Sequence, residues 1–362
     1  MTIAEVVPSL LSGLDVPGAD NTLDLPSARR VVLLLVDGLG QDLLLEHAEH
    51  APFLSGLPTR EINAGFPSTT ATSLASIGTG LLAGEHGIVG VSFAVGDEVL
   101  NALTWSRAGD HHHDLRKVLV PEVVQPHPTL FERAAAAGVA VSTVAPLSQR
   151  TSGLTRAVLR GSWFRGAAGF GDLALGAVAA VQQDRSFCYA YHADLDMIGH
   201  IYGPGSAEWL LQLEFVDALA SRIAARMPPD SQLVVTADHG MITADDRIDF
   251  DTEPLLWQGV RTITGEPRVR YLHTESDEVL EVWRDFLGDR ADVVRREEAV
   301  DAGWFGPVSP LALDRIGNVV VAMKNSAVIV RGQAEPVFSM MRGFHGSLTR
   351  QELAIPLLVS AS

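Results

Sequence analysis

Apolar runs alternate with helical patterns along most of the chain. The runs suited to buried strands lie at 31–36, 139–145, 186–191, 232–237 and 355–360. Between them, residues 129–137 and 206–226 carry the apolar spacing of helices. Strands that alternate with helices predict an α/β fold with a largely parallel central sheet covered by helices on both faces. Such sheets place their chemistry at the carboxyl ends of the strands.

The stretch from 250 to 340 has a different pattern, with short alternating runs at 267–273 and 318–331 and many charges and prolines. We interpret it as a small inserted α+β cap that folds over the functional cleft and contributes selectivity. Residues 1–249 and 341–362 would then form one discontinuous core, to which the run at 355–360 returns. The tryptophans of the segment 250–340, at 257, 283 and 304, are expected in the packed interior because no spacing marks them as a stacking platform.

Composition and charge narrow the possible functions. The chain has 362 residues, of which 47% are hydrophobic, enough to bury one large core and to form a smaller satellite domain. Lys and Arg number 27 against 44 Asp and Glu, a net charge of −17 that argues against coating nucleic acid or an anionic membrane. The N-terminal residues lack a signal-peptide pattern and no apolar run could span a bilayer, so we expect a cytoplasmic protein.

The cysteine count restricts any metal chemistry. Cys188 is the one cysteine of the sequence, so neither an intramolecular disulfide nor a thiolate zinc cage can form. A metal would have to be bound by carboxylates and imidazoles. The three consecutive histidines at 111–113 are one candidate, but aspartates flank them and nothing pairs with them, so we expect a solvated loop there.

Five short polar segments, which we call polar islands, interrupt the apolar sequence, and two of them lie next to apolar runs in the N-terminal third. Asp37 ends the run 31–36, and Gly38 and Gly40 behind it permit a tight turn. Alone, Asp37 would be interpreted as a turn or cap residue. Residues 66–80 place a cluster of hydroxyls before a helical stretch, where backbone N–H groups and the helix dipole favour an alkoxide or a bound phosphate. An ordinary Ser/Thr cap is the simpler alternative.

A third island, at 191–204, supplies a carboxylate and an imidazole. Asp196 and His200 are four residues apart, so on a helical turn they project from one face and can bind one cation. His192 and Asp194 lie in the same island, and spacing alone does not exclude them.

The last two islands complete a possible ligand set. Asp238 and His239 leave the run 232–237 together, and His345 stands between Gly343 and Gly346. Three aspartates, three histidines and a hydroxyl provide two sets of oxygen and nitrogen ligands, which suit zinc. Two metals about 3.5–4 Å apart can bind both the attacking and the leaving oxygen of an in-line displacement.

Five segments carry a resemblance to a known family. They are VDGLG, FPSTTATSLASIGTGLLAGEHGIVG, DMIGHIYGP, TADHGM and GFHG. In this order they are similar to the alkaline phosphatase superfamily, most closely to its nucleotide pyrophosphatase/phosphodiesterase branch. The resemblance implies two divalent metal ions, zinc first and manganese as the alternative. It also implies a nucleophile three residues after Pro67, which selects Thr70 over Thr69.

The same resemblance distributes the ligands. One metal would be held by Asp37, Asp238, His239 and the Thr70 oxygen, and the other by Asp196, His200 and His345. The implied reaction cleaves phosphodiester or pyrophosphate bonds of nucleotide-type or related small substrates through a covalent phosphothreonine. The expected partner is a small phosphorylated substrate, with no nucleic acid polymer and no membrane. Nothing in the sequence indicates the oligomeric state.

One departure from the family pattern bears on the substrate. Diesterase relatives carry, soon after the HGIV segment, an asparagine that binds a phosphoryl oxygen, and Val91 occupies that position here. A phosphomonoesterase or a phosphonoacetate-type phosphonate hydrolase is therefore an alternative, with the arginines at 150, 156, 160 and 165 as a possible phosphate clamp. A metal-binding, nucleotide-sensing pseudoenzyme is the alternative from another class.

Overall fold

The computed structural model describes residues 1–361, except for the side chains of residues 111 and 361. The strands are β1 Arg30–Val36, β2 Thr59–Asn63, β3 Ser92–Val95, β4 Glu98–Asn101, β5 Ser106–Arg107, β6 Asp110–Asp114, β7 Ala140–Pro146, β8 Trp163–Ala167, β9 Ser186–His192, β10 Ser231–Thr236, β11 Ile242–Thr243, β12 Asp246–Asp249, β13 Val260–Glu266, β14 Val269–Thr274, β15 Ala291–Arg295, β16 Val319–Met323, β17 Ala327–Val330, β18 Gly343–Phe344 and β19 Ala354–Ala361.

Helices connect most of these strands, as the alternating pattern predicts. They are α1 Val6–Ser12, α2 Gln41–Glu46, α3 Pro52–Ser55, α4 Thr70–Thr79, α5 Ala83–His86, α6 Pro121–Val124, α7 Leu130–Ala136, α8 Gly153–Val158, α9 Phe170–Ala180, α10 Asp194–Tyr202, α11 Ala207–Ala224, α12 Pro254–Trp257, α13 Glu278–Leu287, α14 Arg296–Asp301, α15 Pro310–Leu313, α16 Pro336–Met340 and α17 Arg350–Leu353. Short 3-10 turns lie at Ile3–Glu5, Ala48–His50, Leu147–Gln149, Phe250–Thr252 and Gly288–Arg290.

The central sheet has seven strands in the order β2-β19-β10-β1-β9-β7-β8. Strands β10, β1, β9, β7 and β8 are parallel, whereas β19 runs antiparallel to both β10 and β2. Every residue of β9 and β10 is buried, because helices cover the sheet. The predicted α/β class with a largely parallel central sheet is confirmed.

The segment from 250 to 340 contains a second, antiparallel sheet in the order β13-β14-β16-β15. Its own core surrounds the fully buried Trp283. Two hydrogen bonds attach it to the segment after α5: Tyr271 Oη donates to the Val89 carbonyl, and Ser92 Oγ donates to the Gly265 carbonyl. The division of the chain into core and cap stays a prediction, but this sheet contacts the segment that follows α4 and α5.

The other two tryptophans of this segment differ in burial. Trp304 packs edge-on against Phe66, with ring centroids 5.4 Å apart. Trp257 keeps 37% of its surface exposed while one face lies 4.1 Å from the Phe250 ring, so it is only partly in the interior that we predicted.

A four-stranded antiparallel sheet, β3-β4-β5-β6, was not predicted. Its last strand contains the three histidines, so the loop predicted at 111–113 is wrong. Backbone pairing of β5 with β6 forms this strand, and because His112 and His113 are both exposed, no apolar alternation marks it in the sequence. The side chain of His111 lies outside the described residues. In the described part of the chain, no helix is long and apolar enough to cross a membrane.

Candidate metal centre and nucleophile

The predicted polar residues gather at one edge of the central sheet. Strand β1 lies between β9 and β10, and all three are parallel, so their carboxyl ends meet. Asp37 directly follows β1, Asp238 lies two residues beyond β10, and helix α10 begins two residues after β9. The sheet topology therefore brings together residues far apart in sequence, such as Gly38 and Asp238, which are 200 positions apart.

One group surrounds the hydroxyl of Thr70, the first residue of α4. Thr70 Oγ1 lies 3.2 Å from His239 Nε2 and 3.5 Å from Asp37 Oδ1. His239 Nε2 lies 3.3 Å from Asp37 Oδ1 and 3.5 Å from Asp238 Oδ2. Each of these four side chains is buried. The structure thus brings together Thr70 and all three ligands predicted for the first metal.

A second group lies beside the first. His200 Nε2 is 3.2 Å from Asp196 Oδ2, as expected for residues four apart on α10. His345 Nε2 is 3.3 Å from His200 Nε2 and 3.8 Å from Asp196 Oδ1. Asp196, His200 and His345 are therefore also brought together, and ligand atoms within each of the two groups lie within 4.8 Å of one another.

All three imidazoles are oriented by backbone carbonyls. His239 Nδ1 lies 3.0 Å from the Gly240 oxygen, His200 Nδ1 2.8 Å from the Gly343 oxygen, and His345 Nδ1 3.0 Å from the Ser68 oxygen. A carbonyl oxygen only accepts, so in each ring Nδ1 carries the proton and donates. The lone pair of a neutral ring then lies on Nε2, facing the cleft, which is the arrangement typical of metal-ligating histidines.

The carboxylates lack enough donors to balance their charge. Asp238 Oδ2 and Asp196 Oδ1 are buried and have no hydrogen-bond partner in the structure. Burial, followed by the charges of Asp238 and Asp196, raises the pKa of Asp37 well above its ordinary value. Burial lowers the pKa of His200, but Asp196, the Gly343 carbonyl and Glu266 together raise it above the usual value. The raised pKa of Asp37 and the unpartnered Oδ2 of Asp238 indicate an excess of negative charge at the first group, which a cation would balance.

Further contacts hold the first group in place. Tyr191 Oη donates a short hydrogen bond to Asp37 Oδ2, and the Gly38 N–H donates to Asp238 Oδ1 over 3.1 Å. Gly38 has a φ of +77°, and a Cβ there would lie 3.0 Å from the Asp196 side chain, so a larger residue would displace that ligand. Tyr191 was missed as a contributor, although it is the last residue of the apolar run 186–191 and the first residue of the third island.

The alternatives in the third island lie elsewhere. His192 Nε2 is 3.2 Å from Gln212 Nε2 and its ring packs against Phe170. Asp194 is exposed in the first turn of α10. Neither belongs to the two groups of candidate ligands found among the described residues.

Three of the four arginines considered as a phosphate clamp have other partners, and the single cysteine is a core residue. Arg156 pairs with Glu122 at 2.7 Å and Arg165 with Asp172 at 3.1 Å, while Arg160 donates to several backbone carbonyls, so these three do not form a phosphate clamp. Burial raises the pKa of the Cys188 thiol to about 12, which leaves it a protonated core residue.

The sequence profile of the type I phosphodiesterase / nucleotide pyrophosphatase family matches residues 31–348. This span contains every candidate ligand and Thr70. The chain belongs to this family. It is accordingly a metal-dependent hydrolase that acts on phosphorus esters, as the resemblance implied. No curated protein matches the sequence.

Solved structures show the same fold at low sequence identity. Murine ectonucleotide pyrophosphatase / phosphodiesterase 5 is 17% identical, with a TM-score of 0.67 over 92% of this chain and 88% of that one. The human protein of the same name is also 17% identical, with a TM-score of 0.68 over 92% and 88%. Phosphonoacetate hydrolase from Sinorhizobium meliloti 1021, in complex with phosphonoformate, is 19% identical, with a TM-score of 0.68 over 93% and 91%.

Proposed function

We propose that the protein hydrolyses phosphodiester or pyrophosphate bonds in nucleotide-type or related small substrates through a covalent phosphothreonine at Thr70. The observation that carries this proposal is the position of Thr70 Oγ1, 3.2 Å from His239 Nε2 and 3.5 Å from Asp37 Oδ1 at the start of a buried helix. A hydroxyl among candidate metal ligands at a helix N-terminus meets the requirements of an activated nucleophile.

Two divalent cations fit the residues present, because the donor set is carboxylate and imidazole and two buried carboxylate oxygens lack partners. Asp37, Asp238, His239 and Thr70 would hold one, and Asp196, His200 and His345 the other. Zinc is the expected ion and manganese the alternative. When bound, such ions favour an ionised nucleophile and stabilise the charge on the attacking and leaving oxygens.

The chain's own groups account for the covalent steps. The Thr70 hydroxyl gives up its proton to solvent and Oγ1 attacks phosphorus. A bond from phosphorus to Oγ1 forms, and the bond to the leaving oxygen breaks with its electron pair on that oxygen, which takes up a proton from solvent. The N–H groups in the first turn of α4, which have no partner within the helix, would offer hydrogen bonds to the transferred group. Water then attacks the phosphothreonine, which restores the Thr70 hydroxyl and releases the phosphorylated product.

One observation favours a second candidate. Val91, at the position where diesterase relatives carry an asparagine, is buried and offers no side-chain donor. A phosphonate hydrolase or a monoesterase would have less need of that asparagine, and one structural neighbour is described as a phosphonoacetate hydrolase in complex with phosphonoacetate. Another is described as an inactive ectonucleotide pyrophosphatase / phosphodiesterase in complex with AMP, which supports a small phosphorylated substrate for either candidate.

Turnover of four substrates, compared side by side with zinc and with manganese, tests the proposal. They are a phosphate monoester, a phosphodiester, a nucleotide with a pyrophosphate bond, and phosphonoacetate. We expect the highest kcat/KM with the diester or the pyrophosphate, and a phosphorylated Thr70 in acid-quenched protein. A highest kcat/KM with phosphonoacetate or the monoester would assign the second candidate instead, and the absence of phosphothreonine would exclude the covalent route.

A further inference from the structure

Helix α11, Ala207–Ala224, has two apolar faces. The first packs against the core, and its fully buried residues are Trp209, Leu213, Val216, Ala220 and Ile223. The second lies on the surface, where Leu211 and Phe215 keep 52% and 49% of their surface exposed. A helix that packs only on its own core needs one apolar face, so the second face indicates a partner.

The exposed face of α11 borders a groove between α9 and α11. The groove has a volume of about 490 Å³, and Phe170 and Leu175 of α9 line it together with Phe215, Ala218 and Leu219 of α11. Leu175 is 57% exposed, and the rings of Phe170 and Phe215 lie 5.8 Å apart. Exposed apolar side chains beside such a groove form a surface typical of protein interfaces, with room for an apolar side chain of another molecule.

Opposite charges lie at the two ends of this face. Glu208 belongs to the first turn of α11 and Arg222 to its last turn. Both residues are exposed, and no ion pair in the described part of the chain involves either side chain. The helix dipole explains the ends at which the two charges lie, but it does not explain why they share the face of Leu211 and Phe215.

The order of residues along this face is symmetric about Phe215. Glu208, Leu211, Phe215, Ala218 and Arg222 follow one another at intervals of three and four residues, the spacing of a coiled-coil seam. Glu208 and Arg222 are equally far from Phe215 in sequence, and so are Leu211 and Leu219. The face is therefore complementary to an antiparallel copy of itself, in charge as well as in apolar character.

We propose that two copies of the chain form a symmetric dimer in which the α11 helices pack antiparallel across a two-fold axis at Phe215. Glu208 of one copy then pairs with Arg222 of the partner subunit, and Leu211 enters the groove beside Leu219 of the partner subunit. The two-fold axis repeats each contact, so every ion pair and every apolar insertion occurs twice. An apolar centre with a charged rim is the usual anatomy of a protein interface.

Sedimentation velocity of the full-length chain measures the association. We expect the wild type to convert from one to two chains per particle between about 1 and 100 μM, the range of a moderately stable interface. Phe215→Glu places two like charges against each other on the axis, so it should weaken the dimer about 100-fold or more.

An exchange of charges tests the antiparallel register. Glu208→Arg and Arg222→Glu each place like charges opposite one another, and each should weaken the dimer about tenfold or more. The double substitution restores opposite charges and should return the dissociation constant to within about threefold of the wild type. Arg150→Glu is the matched control, because Arg150 is exposed and does not line the groove, and it should leave the association unchanged.

Cross-linking through a new cysteine tests the position of the axis. Cys188 is fully buried, so an introduced surface cysteine is the accessible thiol. Phe215→Cys should form an intermolecular disulfide under mild oxidation, since position 215 meets its own copy on the axis. Leu211→Cys is the control of equal exposure: the two copies of position 211 would lie about 12 Å apart along the helices, beyond the reach of a disulfide.

Melting temperature and circular dichroism establish that each variant is folded, as expected for exposed positions. A wild-type protein that stays monomeric throughout would overturn the inference, and the groove would then be left for a small apolar ligand. A dimer that persists in Phe215→Glu would place the interface elsewhere and also overturn it. The same holds for a charge exchange that does not restore association, or for cross-linking of Leu211→Cys as readily as of Phe215→Cys.

Discussion

The imidazole rings of His239 and His345 stack face to face, with centroids 3.5 Å apart and planes 12° apart. His239 follows β10 and belongs to the first ligand group, whereas His345 follows β18 and belongs to the second. The two ligand groups are therefore in contact through these rings. Two cations bound in adjacent groups can contact one phosphoryl group together.

The division into two ligand groups predicts that substitution of a ligand in one group removes only the metal ion bound by that group. We expect about two divalent ions in each wild-type chain, on the two-metal logic of in-line displacement. Asp37→Ala removes a carboxylate from the first group and His345→Ala an imidazole from the second, so each variant should keep roughly one ion. Elemental analysis of gently purified protein measures this.

The two variants are also each other's control, since each removes one ligand and leaves the other group intact. Loss of both ions in either variant would mean that the groups are not independent sites. Wild-type protein that contains no zinc, manganese or iron, and whose activity a chelator does not change, would contradict metal dependence.

The raised pKa of Asp37 predicts a trade-off between function and stability. Burial and the charges of Asp238 and Asp196 raise this pKa in the folded state above its unfolded value. The stability that the protonated group contributes is complete below about pH 4 and is lost as pH rises through the folded-state pKa. Asp37→Asn removes the charge and should escape this loss.

In the presence of a chelator, Asp37→Asn should therefore be more stable than the wild type at pH 8. The two proteins should approach one another toward pH 4. Thermal unfolding followed as a function of pH measures the difference. With zinc present the order should reverse, because the variant lacks a ligand. A chelated variant that is less stable than wild type at pH 8 would contradict this account.

Much of the site could be predicted because several of the ligands follow an element with a clear pattern. Asp37, Asp238 and the helix that carries Asp196 and His200 come directly after apolar runs that form adjacent parallel strands. The rule that parallel strands present their carboxyl ends together was sufficient to place them at one edge of the sheet, whereas their division between two metals followed from the family resemblance. This rule did not decide whether His192 or His200 is the metal ligand, because the answer depends on the direction in which each side chain points beyond the end of β9.

Glu266 and the sheet at 92–114 could not be predicted for a different reason. The environment of Glu266 is formed by Gly90, Gly346 and Thr69, which are distant in sequence, so no local pattern marks its burial. Strands β3 to β6 have partly exposed faces and short lengths, and β5 has only two residues. Hydrophobic periodicity carries little information for strands of this kind.

A buried ion pair positions the loop that carries His345. Arg268 Nη2 lies 2.6 Å from Glu352 Oε2 and both side chains are fully buried, while Glu352 Oε1 accepts from the Ser347 N–H over 2.9 Å. Glu352→Gln leaves the Arg268 charge uncompensated, which typically costs about 3–5 kcal/mol. We expect this loss in the free energy of unfolding by denaturant, together with weaker metal binding at the second group.

Arg350 is the matched control, because it lies two residues away and pairs with Glu61 on the surface. Exposed pairs contribute little, so Arg350→Ala should leave the unfolding midpoint almost unchanged. Equal effects of the two substitutions would mean that the buried pair has no special role.

The three hydroxyls before and at the start of α4 have different surroundings, which predicts different effects of their removal. Ser68 Oγ donates to the Ser347 carbonyl over 2.8 Å, Thr69 Oγ1 is buried beside the Glu266 carboxyl, and Thr70 Oγ1 lies 3.2 Å from His239 Nε2. Ser68→Ala should therefore cost stability, on the order of 1–2 kcal/mol, because a buried carbonyl loses its donor. Thr69→Ala should be mild in both respects.

Thr70→Ala removes the proposed nucleophile and one of the proposed contacts to the first metal, leaving Asp37, Asp238 and His239 in place. Deleting a nucleophile typically lowers turnover by several orders of magnitude, since only positioning and electrostatics remain. Metal content should largely persist while turnover and phosphothreonine disappear. If the protein were instead a pure nucleotide sensor, Thr70→Ala would leave its ligand affinity and output roughly intact. Near-wild-type turnover in Thr70→Ala, with turnover abolished by Thr69→Ala or Ser68→Ala, would assign the nucleophile to that neighbour, against the 3.2 Å approach of Thr70 Oγ1 to His239 Nε2.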